Sequence, residues 1–202
     1  AGKRWAELAD TIGRVLPFDE AITTAPGHAT ELARQALRDG ADRVIALGGD
    51  GTINETVNGF FDEQGNALPE AANAHFGVIP YGTGGDFRRT LGLPQDVAGA
   101  AKVIANGISK RCDVGRLTYT LPDGGTATRM FINIASFGGS GEVDRIVNKS
   151  SKRLGRMSFF VATARATMTY KNKRVSMVFD GNTSAPVEAT ISTVAIANGR
   201  YF

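Results

Sequence analysis

Two short apolar runs, Val44-Ile45-Ala46-Leu47 and Phe76-Gly77-Val78-Ile79, each empty into a glycine-rich loop. The first loop reads Gly48-Gly49-Asp50-Gly51-Thr52, the second Pro80-Tyr81-Gly82-Thr83-Gly84-Gly85-Asp86-Phe87. Apolar runs of this length bounded by glycine read as buried strands. Two such units in succession predict a parallel sheet with both loops at the carboxyl ends of neighbouring strands, the edge where open α/β sheets bind ligands.

The residue types suit a polyphosphate. Glycines let the backbone approach an anion without interference from Cβ, and the following stretch, Thr52-Ile53-Asn54-Glu55-Thr56-Val57, opens a helix whose free N–H groups and dipole favour phosphate. Thr52 is placed to cap that helix or to donate to the ligand. Asp50 repels a bare phosphate, so its carboxylate makes sense either as a ligand of a phosphate-bound magnesium ion, directly or through water, or as a group that orients the loop. No Gly-Lys-Ser/Thr follows, so this is not a Walker loop, and the spacing is not the G-x-G-x-x-G dinucleotide fingerprint. An ordinary glycine turn explains either loop alone; the pair is harder to explain that way.

Periodicity changes near residue 108. Before it, helical segments are expected at 3–16, 29–39, 52–61 and 96–106, the last closed by Gly107, and extended ones at 18–23, 43–47 and 75–79, with a loop at 62–74. That alternation is the α/β signature. After it, strands are expected at 109–120, 126–136, 174–180 and 187–197, with turns at Pro122-Asp123-Gly124-Gly125 and Asp180-Gly181-Asn182, and helices at 141–150 and 157–170. The expected fold class is therefore α/β: a parallel-sheet nucleotide-binding domain, residues 1–108, followed by a mainly β second domain, residues 109–202, with a helical insertion. With 202 residues, 42% of them hydrophobic, there is enough chain for a substantial core.

Composition removes several alternatives. Cys112 is the single cysteine, which rules out an internal disulfide, and with only His28 and His75 there is no Cys/His cluster for zinc. A reducing cytoplasm is the expected setting. No segment reaches the roughly 20 apolar residues of a membrane span, so membrane contact is expected to be peripheral. The 23 Lys and Arg against 20 Asp and Glu give a net charge of +3, too little to suggest nucleic-acid binding. Lys149, Lys152, Arg153 and Arg156, with Arg165, Lys171, Lys173 and Arg174, either hold the protein against an anionic surface, at about 1 kcal/mol each, or form a solvated face.

The run from Gly48 to Glu55 followed by Pro-Tyr-Gly-Thr-Gly-Gly-Asp-Phe resembles the catalytic domain of diacylglycerol kinases and their sphingosine, ceramide and bacterial lipid kinase relatives. The likeness extends to Thr23 before Pro26-Gly27-His28, to Cys112-Asp113-Val114-Gly115, to Phe131-Ile132-Asn133 and to Ala197-Asn198-Gly199. The first loop is shared with NAD kinases and, in a near variant, with phosphofructokinases; the second discriminates, because the lipid kinases usually carry G-T-x-N-D-F there. This chain departs from that pattern in having Gly85 where asparagine is commonest.

The resemblance implies an ATP-dependent lipid kinase that moves the γ-phosphoryl group to a lipid hydroxyl such as that of diacylglycerol, with Mg2+. ATP contacts carry over onto Thr23, Gly48, Gly49, Asp50, Gly51, Thr52, Ile53, Asn54, Glu55, Gly82 and Thr83. Asp50 is the candidate metal ligand. Asp86 is either the N-cap of a helix at 87–91 or a contact to substrate hydroxyl or metal. In the family the proton acceptor is an acidic residue in a later D-G-E motif, expected downstream of Phe202, and an N-P-x-x-G turn precedes the first helix. The chain is accordingly expected to be a fragment, short of its first strand and of part of the second domain, and a poor catalyst by itself.

The expected partners are a nucleotide, a lipid and a peripheral membrane surface; a homodimer is left open. NAD kinase, or a nucleotide-sensing module without transfer activity, are the competing readings. Other residues have simpler expectations: His28 at a helix start, His75 in a loop, Trp5 on the buried face of the first helix, Asn133 as a polar strand residue, and Phe159, Phe160, Val161 and Met168 as core or as the lining of a lipid channel.

Overall fold

The computed structural model of the protein describes residues 2–82, 85–141, 170–182 and 185–201. The chain forms two compact units, Ala1–Ile134 with Ala197–Phe202, and Ala135–Ile196. The last α-helix of the first unit ends at Ala105, two strands follow it, and that unit runs on through Ile134.

In the first unit the elements are α1 (Trp5–Gly13), α2 (His28–Arg38), β1 (Arg43–Gly48), α3 (Asp50–Asn58), β2 (His75–Pro80), α4 (Asp86–Leu91), α5 (Val97–Ala105), β3 (Gly115–Thr120) and β4 (Thr126–Phe131). Strands β1 and β2 are parallel neighbours, paired from Arg43 opposite His75 to Gly48 opposite Pro80. Successive side chains of a strand face opposite ways, and here both faces are covered. Ala46 and Val78 pack with Ile53, Val57, Phe87 and Ile132 on one side, while Ile79, with Ile45 and Leu47, packs against Ile12, Leu16, Ala100 and Ala101 on the other. Burial on both sides explains why these runs are continuously apolar rather than alternating.

Small residues let the layers close up. Ala100 and Ala101 are fully buried where α5 meets the sheet. At Gly59 a Cβ would stand 2.5 Å from Ala33 Cβ of α2, so this position tolerates no side chain. Asp96 caps α5, accepting from Gly99 N–H at 2.7 Å, and Gly107 ends the helix at φ +70°, as expected.

Several expectations needed correction. Residues 18–23 form no strand, and the strand expected at 109–120 is confined to Gly115–Thr120. The strand expected at 126–136 breaks at Ile132-Asn133 into β4 and β5 (Ile134–Gly138), because the backbone of Ile132 and Asn133 bonds asparagines elsewhere rather than a neighbouring strand. His75 opens β2 and does not lie in a loop. Within 62–74 the chain makes a 3-10 turn at Pro69–Ala71.

Strands β3 and β4 form an antiparallel hairpin across the expected turn, where Leu121 and Gly125 bond through their backbones at 2.7 Å. In the second unit, β6 (Lys173–Met177) and β7 (Val187–Ile191) are antiparallel and β5 pairs with β8 (Thr193–Ala197). The Asp180–Asn182 turn lies in the connection from β6 to β7. Phe137, Val178, Phe179, Val187 and Ile196 of this unit are exposed. The helical expectations at 141–150 and 157–170, the basic residues from Lys149 to Arg165 and the Phe159-Phe160 pair lie outside the described residues, save for the ends at Gly141 and Tyr170. Among the described residues no helix is long and apolar enough to cross a membrane.

Candidate functional site

Register brings the two loops together. Because Gly48 lies opposite Pro80, both loops leave the sheet at the same edge, and Tyr81 N–H donates to Gly48 carbonyl at 2.9 Å. A Cβ on Gly82 would come within 2.9 Å of Gly49 Cα, so the two backbones touch where their glycines meet. Gly48 is constrained as well: its Cβ would sit 2.7 Å from Thr52 Cβ.

Helix α3 starts directly after Gly49, which is extended at φ −89°, ψ −177° and caps without a side chain. Ile53 N–H is the first to close a helical bond, to Gly49 carbonyl at 3.0 Å. The N–H groups of Asp50, Gly51 and Thr52 therefore have no acceptor within the helix and present a positive dipole end at the sheet edge. That is the geometry expected of an anion site.

Asp50 joins the loops. Its Oδ2 accepts from Gly85 N–H at 3.1 Å, while Oδ1 is buried and has no hydrogen-bond partner among the described residues. A buried carboxylate oxygen left unpaired is costly, and a hard cation is one group that would satisfy it. Among the described residues no group of three or more His, Cys, Asp or Glu is placed to hold a metal ion.

Gly85, at φ +118°, is the N-cap of α4, so Asp86 is the helix's first residue and not its cap. The Asp86 carboxylate faces Arg89, 3.7 Å from Nη1, and Thr90 Oγ1 donates to the Asp86 carbonyl at 3.2 Å. The Glu7 carboxylate, which accepts from Arg4 Nε at 3.0 Å and Nη2 at 2.9 Å, favours the charged form of Arg4 and raises the guanidinium pKa above its ordinary value.

The remaining predicted residues divide into two groups. Ile53 is 1% exposed and belongs to the core, and Glu55 is half-buried, its carbonyl accepting from Thr30 Oγ1 at 2.8 Å. Asn54 spends its amide on β4: Nδ2 donates to Met130 carbonyl at 3.3 Å and Oδ1 accepts from Ile132 N–H at 3.2 Å. Thr23 is exposed ahead of α2, and it is its neighbour Thr24 that bonds His28 Nδ1, which does stand at the helix start. Thr83 lies outside the described residues.

Asn58 escaped sequence reasoning. It exchanges bonds with Met130, donating to the carbonyl and accepting from the N–H, both at 2.9 Å. The signal was there: Asn54 and Asn58 are one helical turn apart, on one face of α3. Asn198 plays a similar part, its Nδ2 donating to Asp113 carbonyl at 2.7 Å and Ile132 carbonyl at 2.8 Å. The Ala197-Asn198-Gly199, Cys112-Asp113 and Ile132-Asn133 segments noted in the sequence are thus tied to one another. Cys112 is exposed, and partial desolvation of its thiol, followed by the charge of Asp113, pushes the thiol pKa up and so disfavours the thiolate.

Comparison with known proteins agrees with this geometry. The sequence model of the diacylglycerol kinase catalytic domain matches residues 2–117. Diacylglycerol kinase of Bacillus subtilis (strain 168) is 34% identical over 161 residues, which is 79% of this chain and 48% of that protein. Diacylglycerol kinase of Staphylococcus aureus (strain JH9) is 32% identical over 157 residues, 77% of this chain and 45% of that protein. The chain thus spans about half the length of the curated relatives it matches. A crystal structure of a diacylglycerol kinase from Bacillus anthracis str. Sterne superposes with a TM-score of 0.65 at 26% identity, covering 99% of this chain and 60% of that one. With a catalytic-domain match over more than half of its residues, this chain belongs to the diacylglycerol kinase catalytic domain family.

Proposed function

We propose that the protein is an ATP-dependent lipid kinase that transfers the γ-phosphoryl group of ATP to a lipid hydroxyl such as that of diacylglycerol. The observation that carries this reading is the meeting of the two glycine loops at one sheet edge, with the Asp50 carboxylate between them and one of its oxygens buried without a partner among the described residues. Phosphoryl transfer asks a protein mainly for positioning and charge neutralisation, and both are supported by this arrangement. The N–H groups of Asp50, Gly51 and Thr52 bind phosphate oxygens, and Gly48, Gly49 and Gly82 let the chain come close enough to do so. Asp50 holds Mg2+, which when bound neutralises charge on the phosphate oxygens. Asp86, on the neighbouring loop, orients the acceptor hydroxyl.

In this reading residues 1–108 hold the nucleotide, with Thr23, Asn54, Glu55 and Thr83 at or beside it, and residues 109–202 present the lipid. The bonds of Asn54 to β4 favour a supporting role for that residue, fixing α3 rather than touching ATP. In this reading the lipid acceptor is reached at a membrane surface by a protein working from the cytoplasm. None of the residues in the described site is assigned as proton acceptor.

The test is an assay of the whole gene product with γ-labelled ATP, Mg2+, diacylglycerol in mixed micelles and NAD in one vessel, followed by organic extraction. Label in the organic phase is expected. Label confined to an aqueous NADP product, or retained on ATP and inorganic phosphate alone, refutes the proposal.

A further inference from the structure

Helix α4 has six residues and begins with Asp86. A helix so short does not hold its shape unaided, and the segment around Gly199 grips it from outside. Arg200 N–H donates to Thr90 Oγ1 at 3.1 Å, and that hydroxyl donates in turn to the Asp86 carbonyl at 3.2 Å. Thr90 therefore relays a contact from the 200 position to the backbone of Asp86.

A second route reaches the Asp86 side chain. The Arg89 guanidinium lies 4.2 Å over the Tyr201 ring and 3.7 Å from Asp86 Oδ1. Stacking on an aromatic face fixes the plane of a guanidinium that would otherwise swing freely. Tyr201 is itself fixed, because its carbonyl accepts from Asn133 Nδ2 at 3.1 Å. Packing adds a third restraint: a Cβ on Gly199 would fall 1.8 Å from Asn133 Oδ1 and 3.0 Å from Thr90 Oγ1, so the segment lies directly on α4 and on the β4–β5 bend. Asn198 and Gly199 N–H groups both donate to Asn133 carbonyl, at 2.8 and 2.9 Å.

We propose that residues 199–201 are a positioning clamp for Asp86, acting through the Thr90 hydroxyl on its backbone and through the Tyr201–Arg89 stack on its carboxylate. The clamp rests on the role given to Asp86 above and adds to it: the acceptor side of the reaction is tuned by residues more than a hundred positions away in sequence, while the phosphate side is set by α3. Its signature is a selective one. Loosening the clamp lowers turnover of the acceptor and leaves nucleotide binding alone.

The experiment compares Thr90→Val, Thr90→Ser, Tyr201→Ala and Asp86→Asn in the whole protein, reading kcat with diacylglycerol, KM for ATP, binding of a fluorescent ATP analogue, and the melting temperature. Loss of a positioning contact is expected to lower kcat by about ten- to a hundredfold in Thr90→Val and Tyr201→Ala, with KM for ATP and analogue affinity within about twofold, and Thr90→Ser is expected to recover turnover. Equal losses in kcat and analogue affinity, a fall in melting temperature with kcat preserved, or Thr90→Ser behaving like Thr90→Val each overturn the clamp. Asp86→Asn separates the two claims. If it is as active as the wild type, the role of Asp86 fails and the clamp with it; if it is inactive while the clamp variants turn over normally, only the clamp fails.

Discussion

The two glycine loops leave the same edge of the sheet but are held there by different means. The first feeds a nine-residue helix, α3, anchored by buried Ile53 and Val57 and by the Asn54 and Asn58 amides on the backbone of β4. The second feeds a six-residue helix, α4, anchored by one fully buried side chain, Phe87, by the partly buried Leu91 and by the late segment at residues 199–201. A longer helix with its own apolar face stabilises its loop locally. The shorter one depends on contacts that close only when distant parts of the chain have folded. The first loop is thus the stiffer partner, and the loop that carries Asp86 the more adjustable one.

The largest expected effect follows from that asymmetry. Phe87 is 1% exposed and packs with Ala46, Val78 and Ile132, so Phe87→Ala is expected to destabilise the protein by about 3–5 kcal/mol. Urea unfolding of this variant beside Ile53→Ala, itself expected to cost about 2–5 kcal/mol, measures the contrast. Short of global unfolding, α4 should lose hydrogen-exchange protection in Phe87→Ala while α3 keeps it, because α3 retains buried Ile53 and Val57 whereas α4 is left with only the partly buried Leu91. Similar loss in both helices would erase the distinction.

Asp50 is where the loops meet, and its two oxygens do different things. Asp50→Ala removes the acceptor for Gly85 N–H and the charge together, and is expected to lower turnover by about a hundredfold or more. Asp50→Asn keeps an acceptor for Gly85 but no charge. Turnover close to that of the alanine variant, with a melting temperature close to the wild type, is expected for it if the proposed metal is held by the charge on the buried Oδ1, which has no partner among the described residues. An active asparagine variant would instead make Asp50 an organiser of the second loop.

A smaller effect is expected where the two backbones touch. The Cβ of Gly82→Ala would lie 2.9 Å from Gly49 Cα, and because the obstacle is main chain it cannot rotate away. Overpacking of this kind costs about 1–3 kcal/mol. The loops are expected to part at the second one, so that calorimetric ATP affinity falls less than acceptor turnover. A larger loss of ATP affinity would mean that the first loop is the one that yields.

The sequence made one side of this contrast readable and concealed the other. Strands β1 and β2, their glycine loops and α3 are written in contiguous apolar and glycine patterns, so local rules recover them to within a few residues. The hold on the second loop is written in Asn133, Asn198, Gly199 and Tyr201, whose partners lie as far off as Thr90 and Asp113. No period or spacing links such positions. The same reason explains why the strand expected at 126–136 breaks at Asn133 and why Gly85, not Asp86, caps α4. Both outcomes are decided by tertiary contacts and by a positive φ, neither of which hydrophobic pattern encodes.

The smallest expected effect concerns Gly85, which stands where the lipid kinase pattern that the second loop resembles carries asparagine. Gly85 has room for a side chain, since the nearest atom to a Cβ would be Arg88 Nε at 3.4 Å. Its conformation, φ +118°, is the obstacle, lying well beyond the left-handed region in which asparagine is comfortable. Gly85→Asn therefore costs about 1 kcal/mol through backbone strain, partly offset by about 0.4–1 kcal/mol from the smaller conformational freedom of the unfolded chain. The melting temperature is expected to move little, and the Gly85 N–H that serves Asp50 is retained. If the second loop is as adjustable as its slight anchoring implies, φ relaxes towards +60° and turnover stays within about threefold of the wild type. A large loss of turnover at an unchanged melting temperature would mean that the loop is rigid at this residue, and that glycine here sets the direction in which Asp86 points.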